Sequence, residues 1–250
     1  MKAVILAAGK GTRMGDLTDG LPKPMLQVES QPILEHIITG LCGAGISEFC
    51  IIVGWKAEVI EDYFGDGSHW DVAISYVRQQ VQDGTGKAPE LAKDFVGAAP
   101  FLLTYGDILV KPETYRQMLE RWGEGDFSGL VTVTGSEDVT KGGLFFFDEK
   151  FHLNHLVEKP TAAQLDELRA AGRLKEGETA WYNAGIHIFN PTLFDHTEHL
   201  EKSPRGEYEL TDALTSMLDT AEPIAGLKIA GRWVDVRDPK VLQALQDATE

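Results

Sequence analysis

The sequence predicts an α/β fold on a mostly parallel sheet, from three observations. Short apolar runs alternate with helical stripes, the runs are continuous rather than alternating in polarity, and a glycine-rich loop directly follows the first run. Runs at 3–7, 49–53, 72–77, 101–105 and 130–134 are β-branched or aromatic, as in strands covered on both faces. Between them, Ile33/Leu34/Ile37/Ile38/Leu41, Val59/Ile60/Tyr63/Phe64 and Tyr115/Met118/Leu119/Trp122 each draw one apolar stripe on a helix. Pro32 and Pro112 fall where a first helical turn tolerates proline. Strand-helix alternation implies right-handed crossovers.

The pattern changes after about residue 135. Runs at 144–147, 151–157 and 186–189 read as strands, with a polar helix at 161–171. The chain then returns to strand-helix order at 224–229, 233–236 and 239–245. No Pro/Gly/Ser linker separates the halves. A single domain over 1–250 is expected, with a nucleotide-type half at 1–135 and a second-ligand half at 136–250 around one sheet.

Composition removes several classes of function. A formal charge of -16 argues against duplex nucleic acid and against an anionic membrane surface as partners. Cys42 and Cys50 cannot build a disulfide framework or a four-thiolate zinc site. No apolar stretch approaches the ~20 residues of a membrane span. The apolar run at the start stops at Gly9, with Lys10 and Arg13 close behind, so it reads as a buried strand of a cytoplasmic protein rather than a leader. The pairs His152/His155 and His196/His199 are poor zinc candidates; the first falls in a strand, where that spacing points the rings to opposite faces. Oligomeric state, a homo-oligomer included, is left open.

The densest signal is Leu6-Ala7-Ala8-Gly9-Lys10-Gly11-Thr12-Arg13-Met14-Gly15, followed by Leu21-Pro22-Lys23-Pro24. Glycines after a first strand let backbone N–H groups approach an anion, and small Ala7 and Ala8 leave room at the strand's carboxyl end. Lys2, Lys10, Arg13 and Lys23 face only Asp16 and Asp19 within residues 1–28, a basic focus in an acidic chain that suggests a phosphate pocket. Neither the P-loop nor the dinucleotide fingerprint fits, because both meet Met14 where glycine is required.

Other residues join this loop. The Gln79 carboxamide, five before Gly84-Thr85-Gly86, suits the imide edge of uracil or thymine, with Gln80 and Gln82 as rivals. Asp107 ends one buried run and Asp235 another; two strand-end carboxylates with phosphate oxygens make a typical Mg²⁺ environment. Lys159, after Glu158, can pair with a phosphate and Glu158 with hydroxyls.

Gly9-x-Gly11-Thr12-Arg13-Met14 with Pro22-Lys23-Pro24 resembles the signature of sugar-1-phosphate nucleotidyltransferases, and the resemblance runs in order along nearly the whole chain. It implies a Rossmann-like, GT-A-like three-layer α/β/α fold with a mixed, mostly parallel central sheet. It implies the reaction of an NTP, UTP or dTTP favoured, with a sugar 1-phosphate to give NDP-sugar and pyrophosphate. CTP stays open on physical grounds. Under the resemblance Arg13 stabilises the triphosphate and departing pyrophosphate, and Lys23 the α-phosphate. Leu6, Ala8, Gly9, Gly11, Thr12, Gln79, Gly84 and Thr85 hold the nucleotide. Gly143, Glu158, Lys159 and Asn183 hold the sugar phosphate, and Asp107 and Asp235 hold Mg²⁺.

The expected partners are therefore small molecules. Glu207 to Asp212 resembles a further family segment and receives no role. The Lys141-Gly142-Gly143-Leu144 stretch departs from the aromatic-glycine pair frequent in the family, which leaves the register of the sugar-side glycine open. A glycosyltransferase is the alternative enzyme, but Asp107-Ile108-Leu109 lacks its Asp-x-Asp motif. A non-catalytic nucleotide-binding subunit is the other alternative; degenerate relatives tend to lose the Arg and Lys that are present here. No acyltransferase β-helix domain is expected, since no hexapeptide period appears.

Overall fold

The computed structural model describes residues 1–175 and 177–247. The chain opens with β1 (Lys2–Ala7), a two-residue pair β2 (Gln27–Val28) and β3 (Gln31–Pro32), α1 (Ile33–Gly43), β4 (Glu48–Val53), α2 (Ala57–Phe64) and β5 (Ala73–Arg78). It continues through α3 (Lys93–Val96), β6 (Phe101–Tyr105), β7 (Ile108–Val110), α4 (Glu113–Trp122), β8 (Gly129–Thr134), β9 (Gly143–Phe147) and β10 (Leu153–Glu158). The remainder is α5 (Ala162–Ala170), β11 (Trp181–Phe189), α6 (Leu193–Thr197), α7 (Leu210–Asp219), β12 (Ile224–Lys228), β13 (Trp233–Asp235) and α8 (Pro239–Asp247).

Continuous apolar strands demand cover on both faces, and both are covered. Along β1, Ala3, Ile5 and Ala7 pack with Leu34, Ile37 and Ile38 of α1, Ile60 of α2, Met118 of α4 and Leu242 of α8. Val4 and Ala8 turn to the opposite layer with Leu193 and Phe194 of α6 and Leu214 and Met217 of α7. A small third cluster seats Leu165 and Leu168 of α5 on Leu144. Pro32 and Pro112 cap α1 and α4 from just outside their first turns.

The central sheet is mixed. Its parallel part runs β6-β1-β4-β5, with β12 parallel to β8. The antiparallel share is larger than the strand-helix alternation suggested, because β11 pairs antiparallel with β6, β8 and β9, and β9 with β10.

β11 also forks the sheet. Ile188 lies between Leu130 of β8 and Leu102 of β6, whereas Tyr182 lies between Thr134 of β8 and Leu144 of β9. One edge of β11 thus passes from β9 to β6, leaving a gap beside residues 183–185. A Cβ on Gly185 would lie 2.5 Å from Ile108 and 2.7 Å from Tyr105, and its φ is +74°, so only glycine fits this turn.

Two strand boundaries and one pairing differ from expectation: β11 begins at Trp181 rather than at residue 186, where the apolar run of the sequence starts. β10 starts at Leu153 because Phe151 has φ +59° and the Asp148 carboxylate accepts from the Lys150 and His152 amides, which closes a turn. A short ribbon, β7 against β13, was not foreseen; it places Asp235 opposite Ile108.

Candidate active site

The parallel strands β1 and β6 end at a cavity of about 510 Å³ that also occupies the fork beside β11. Every residue given a site role under the resemblance lines it, from Leu6, Ala8, Gly9, Gly11, Thr12 and Arg13 to Asp235. Gln82 lines it as well as Gln79, while Gln80 does not.

The glycine loop forms one wall of the cavity. Gly11 has φ +67°, and a Cβ there would approach Lys23 Cβ to 2.9 Å. Glycine therefore lets Lys23 lie against the loop. The basic focus is divided in the fold. Arg13 and Lys23 reach the cavity, whereas Lys10 stacks on Trp55 at 4.6 Å and Lys2 donates to the Phe95 carbonyl at 2.6 Å.

Lys23 Nζ lies 2.5 Å from Asp107 Oδ2 and 3.8 Å from Asp235 Oδ1. The β7–β13 ribbon makes this meeting possible, and the Val236 amide adds a bond to the Asp107 carbonyl at 3.0 Å. Arg237 flanks the other side of Asp235, with Nε 4.0 Å from Oδ2, and pairs closely with Glu137. Burial and then the charge of Asp107 push the Asp235 carboxyl up to about 6, against the opposing pull of Lys23, Arg237 and Arg13.

Two adjacent carboxylates offset by an ammonium fit a hard divalent cation. Among the described residues no group of three or more His, Cys, Asp or Glu side chains could hold a metal, so substrate oxygens would have to complete the shell. His196 is used otherwise, bonding Ser216 at 2.8 Å and Glu222 at 2.7 Å.

The opposite wall is built from β9, β10 and α7. Gly143 pairs with Glu158, which fixes the register the sequence left open. A Cβ on Gly143 would lie 3.3 Å from Glu158 Oε2 and 3.3 Å from Asn183 Cβ. Thr211 donates to Glu158 at 3.2 Å, Lys159 Nζ lies 3.7 Å away, and Arg205 spans Glu158 and Glu209. Burial raises the Glu158 carboxyl above its ordinary range, with Lys159 opposing it. Asn183 Oδ1 accepts from the Gly185 amide at 3.0 Å, which orients its amide group.

Beside Gln79, the cavity meets the end of β5; the Gln79 backbone amide donates to the Val53 carbonyl at 2.8 Å, continuing the sheet. Burial raises the Tyr105 phenol, with Thr85 opposing it.

Sequence reasoning missed Arg237, Tyr182, Trp233, Glu209 and Thr211 as cavity residues. Glu209 and Thr211 lay in a segment already noted. Arg237 gave one weak signal, its place two residues beyond Asp235.

Residues 2–250 match the family described as Nucleotidyl transferase. The chain belongs to this family. It is 34% identical over 248 residues to the low-salt glycan biosynthesis nucleotidyltransferase Agl11 of Haloferax volcanii, covering 98% of this chain and 65% of that protein. It is 28% identical to the UTP--glucose-1-phosphate uridylyltransferase AglF of the same organism, covering 100% of this chain and 98% of that one. The chain spans 65% of the first relative's length and 52% of the archaeal proteins named bifunctional protein GlmU that it also matches. A crystal structure of UDP-glucose pyrophosphorylase complexed with UDP-glucose superposes with a TM-score of 0.85 at 22% identity, covering 99% of this chain and 97% of that one, and so shares the fold. No helix among the described residues of this nucleotidyl transferase family member is long and apolar enough to cross a membrane.

Proposed function

We propose that this chain transfers a nucleotidyl group from UTP or dTTP to a sugar 1-phosphate, giving NDP-sugar and pyrophosphate. The observation that carries this reading is one cavity lined by Arg13, by Lys23 set against Asp107 and Asp235, and by Glu158, Lys159 and Asn183. A single domain with a nucleotide half and a sugar half accounts for that arrangement. The names of Agl11 and AglF support the transfer, and AglF's name supports the substrates.

An oxygen of the sugar phosphate forms a bond to the α-phosphorus as the bond from that phosphorus to the β-phosphate oxygen breaks, and pyrophosphate leaves with the electron pair. Positioning and charge neutralisation carry the rate in such transfers. Arg13 offsets charge on the leaving group, Lys23 on the α-phosphoryl oxygens, and Lys159 on the nucleophile's phosphate. Glu158 and Asn183 take sugar hydroxyls, and the Gln79 carboxamide takes the imide edge of the base. Asp107 and Asp235 would hold Mg²⁺, which supplies charge neutralisation between the two phosphates. Because both substrates are charged phosphates, we assign the reaction to the cytoplasm.

A matrix of UTP, dTTP, CTP, GTP and ATP against several sugar 1-phosphates, scored by pyrophosphate, tests the proposal. Release with UTP or dTTP is expected. Silence in every pair, with nucleotide still bound, would leave the non-catalytic alternative standing.

A further inference from the structure

Gly84 has φ +118°, and a Cβ there would lie 2.2 Å from the Tyr208 carbonyl oxygen. Two loops therefore touch backbone to backbone. The Tyr208 amide donates to the Asp83 carbonyl at 2.7 Å, and the Gly86 amide donates to the Tyr208 carbonyl at 2.8 Å. The ring of Tyr208 is as heavily engaged as its backbone. Lys87 Nζ lies 4.9 Å and Lys202 Nζ 5.2 Å from its centroid, both within cation–π range. Lys202 also pairs with Asp83 at 3.4 Å, and Lys87 donates to the Glu198 carbonyl at 3.2 Å. Tyr208 stands outside the cavity, although Glu207 and Glu209 on either side line it.

We propose that Tyr208 is a positioning residue for nucleobase recognition: it fastens the 79–86 loop so that Gln79, Gly84 and Thr85 meet the base already arranged. The proposal rests on the assignment of that loop to the base. A glycine-bearing loop loses conformational freedom when it orders around a ligand. Ordering it in the free protein moves that loss from binding to folding and tightens the complex. The ring supplies the part of this fastening that a substitution can remove while the backbone bonds remain.

The test compares Tyr208→Ala and Tyr208→Phe with the natural protein. Calorimetry gives the affinity for UTP and dTTP without sugar phosphate, and steady-state kinetics give kcat and both KM values. Tyr208→Ala is expected to weaken the preferred nucleotide about tenfold, the combined size of two cation–π contacts, and to raise its KM equally. Its kcat and sugar-phosphate KM should stay within about twofold. Tyr208→Phe keeps the ring face and should match the natural protein.

Unchanged nucleotide affinity in Tyr208→Ala, or an equal rise in both KM values, overturns the proposal alone. Absence of UTP and dTTP binding by the natural protein overturns the base assignment and this proposal with it. If Tyr208→Ala fails to fold, Lys202→Met decides the matter. That variant should bind the nucleotide about threefold more weakly, and unchanged affinity refutes the fastening.

Discussion

Lys23 donates to Asp107 at 2.5 Å across 84 residues of sequence. The ammonium sits on the carboxylate pair that would hold the divalent cation, so both groups are tuned to charge in the same small volume. Replacing Lys23 by Met should lower kcat/KM about 100-fold or more, the usual loss when one stabilising group is removed from a phosphate or oxyanion site. Steady-state kinetics at saturating Mg²⁺ check this, and a loss below tenfold would remove Lys23 from the reacting centre.

Asp107→Asn leaves the shape of the strand end and removes half of the carboxylate pair. Mg²⁺-dependent turnover should disappear, and Mn²⁺ binding followed by electron paramagnetic resonance should weaken in the same variant. An unchanged Mg²⁺ titration would separate Asp107 from the metal.

Gly11→Ala places a methyl group against Lys23 Cβ at a left-handed backbone position. The strain is about 1–2 kcal/mol in stability. Turnover should fall further than stability, because relief of the contact moves Lys23 off Asp107. Denaturant melts beside kcat measurements separate the two effects.

His187 is fully buried in β11, and neither ring nitrogen has a hydrogen-bond partner among the described residues. Burial drives its pKa down to about 3. In the unfolded chain it titrates at the ordinary value near 6.5. Between those values the unfolded chain binds a proton that the folded chain refuses. This residue's contribution to stability is therefore intact above about 6.5 and lost progressively as pH falls toward 3, at roughly 1.4 kcal/mol per pH unit. His187→Leu should flatten the decline in Tm between pH 6.5 and 4.5; superimposable curves would assign the acid sensitivity elsewhere.

The Thr161 and Gln164 side chains form a reciprocal capping box at the start of α5. Thr161→Ala should cost about 1 kcal/mol in unfolding free energy. Its kcat should stay at the natural value, since α5 supplies no cavity side chain.

The sequence made local rules legible and long-range pairings much less so. That Gly11, Arg13 and Lys23 would share one cavity was readable because the glycine turn comes in one block with Arg13 and Pro22-Lys23-Pro24, where a lone glycine pair would have said little. Asp107 was readable as the end of a buried strand. That Asp235 would meet it was suggested by family resemblance; the run at 233–236 was legible as a strand, but its pairing with the three-residue β7 was not. Arg237 and Glu137 lie 100 residues apart, and nothing local in either marks the other. Phe151 misled the strand boundary because its apolar side chain continues the run while its backbone turns.

The fork in β11 divides the molecule into parts with different freedom to diverge. β9 joins β11 at Trp181 and Tyr182, and α5 packs over that arm in a small core of its own. Under the proposed transfer, side-chain volume can be exchanged within the arm to admit a bulkier acceptor while β1, enclosed on both faces, keeps the glycine turn in register. New acceptor preferences are thus expected to arise by tinkering on one prong, with the donor machinery inherited intact.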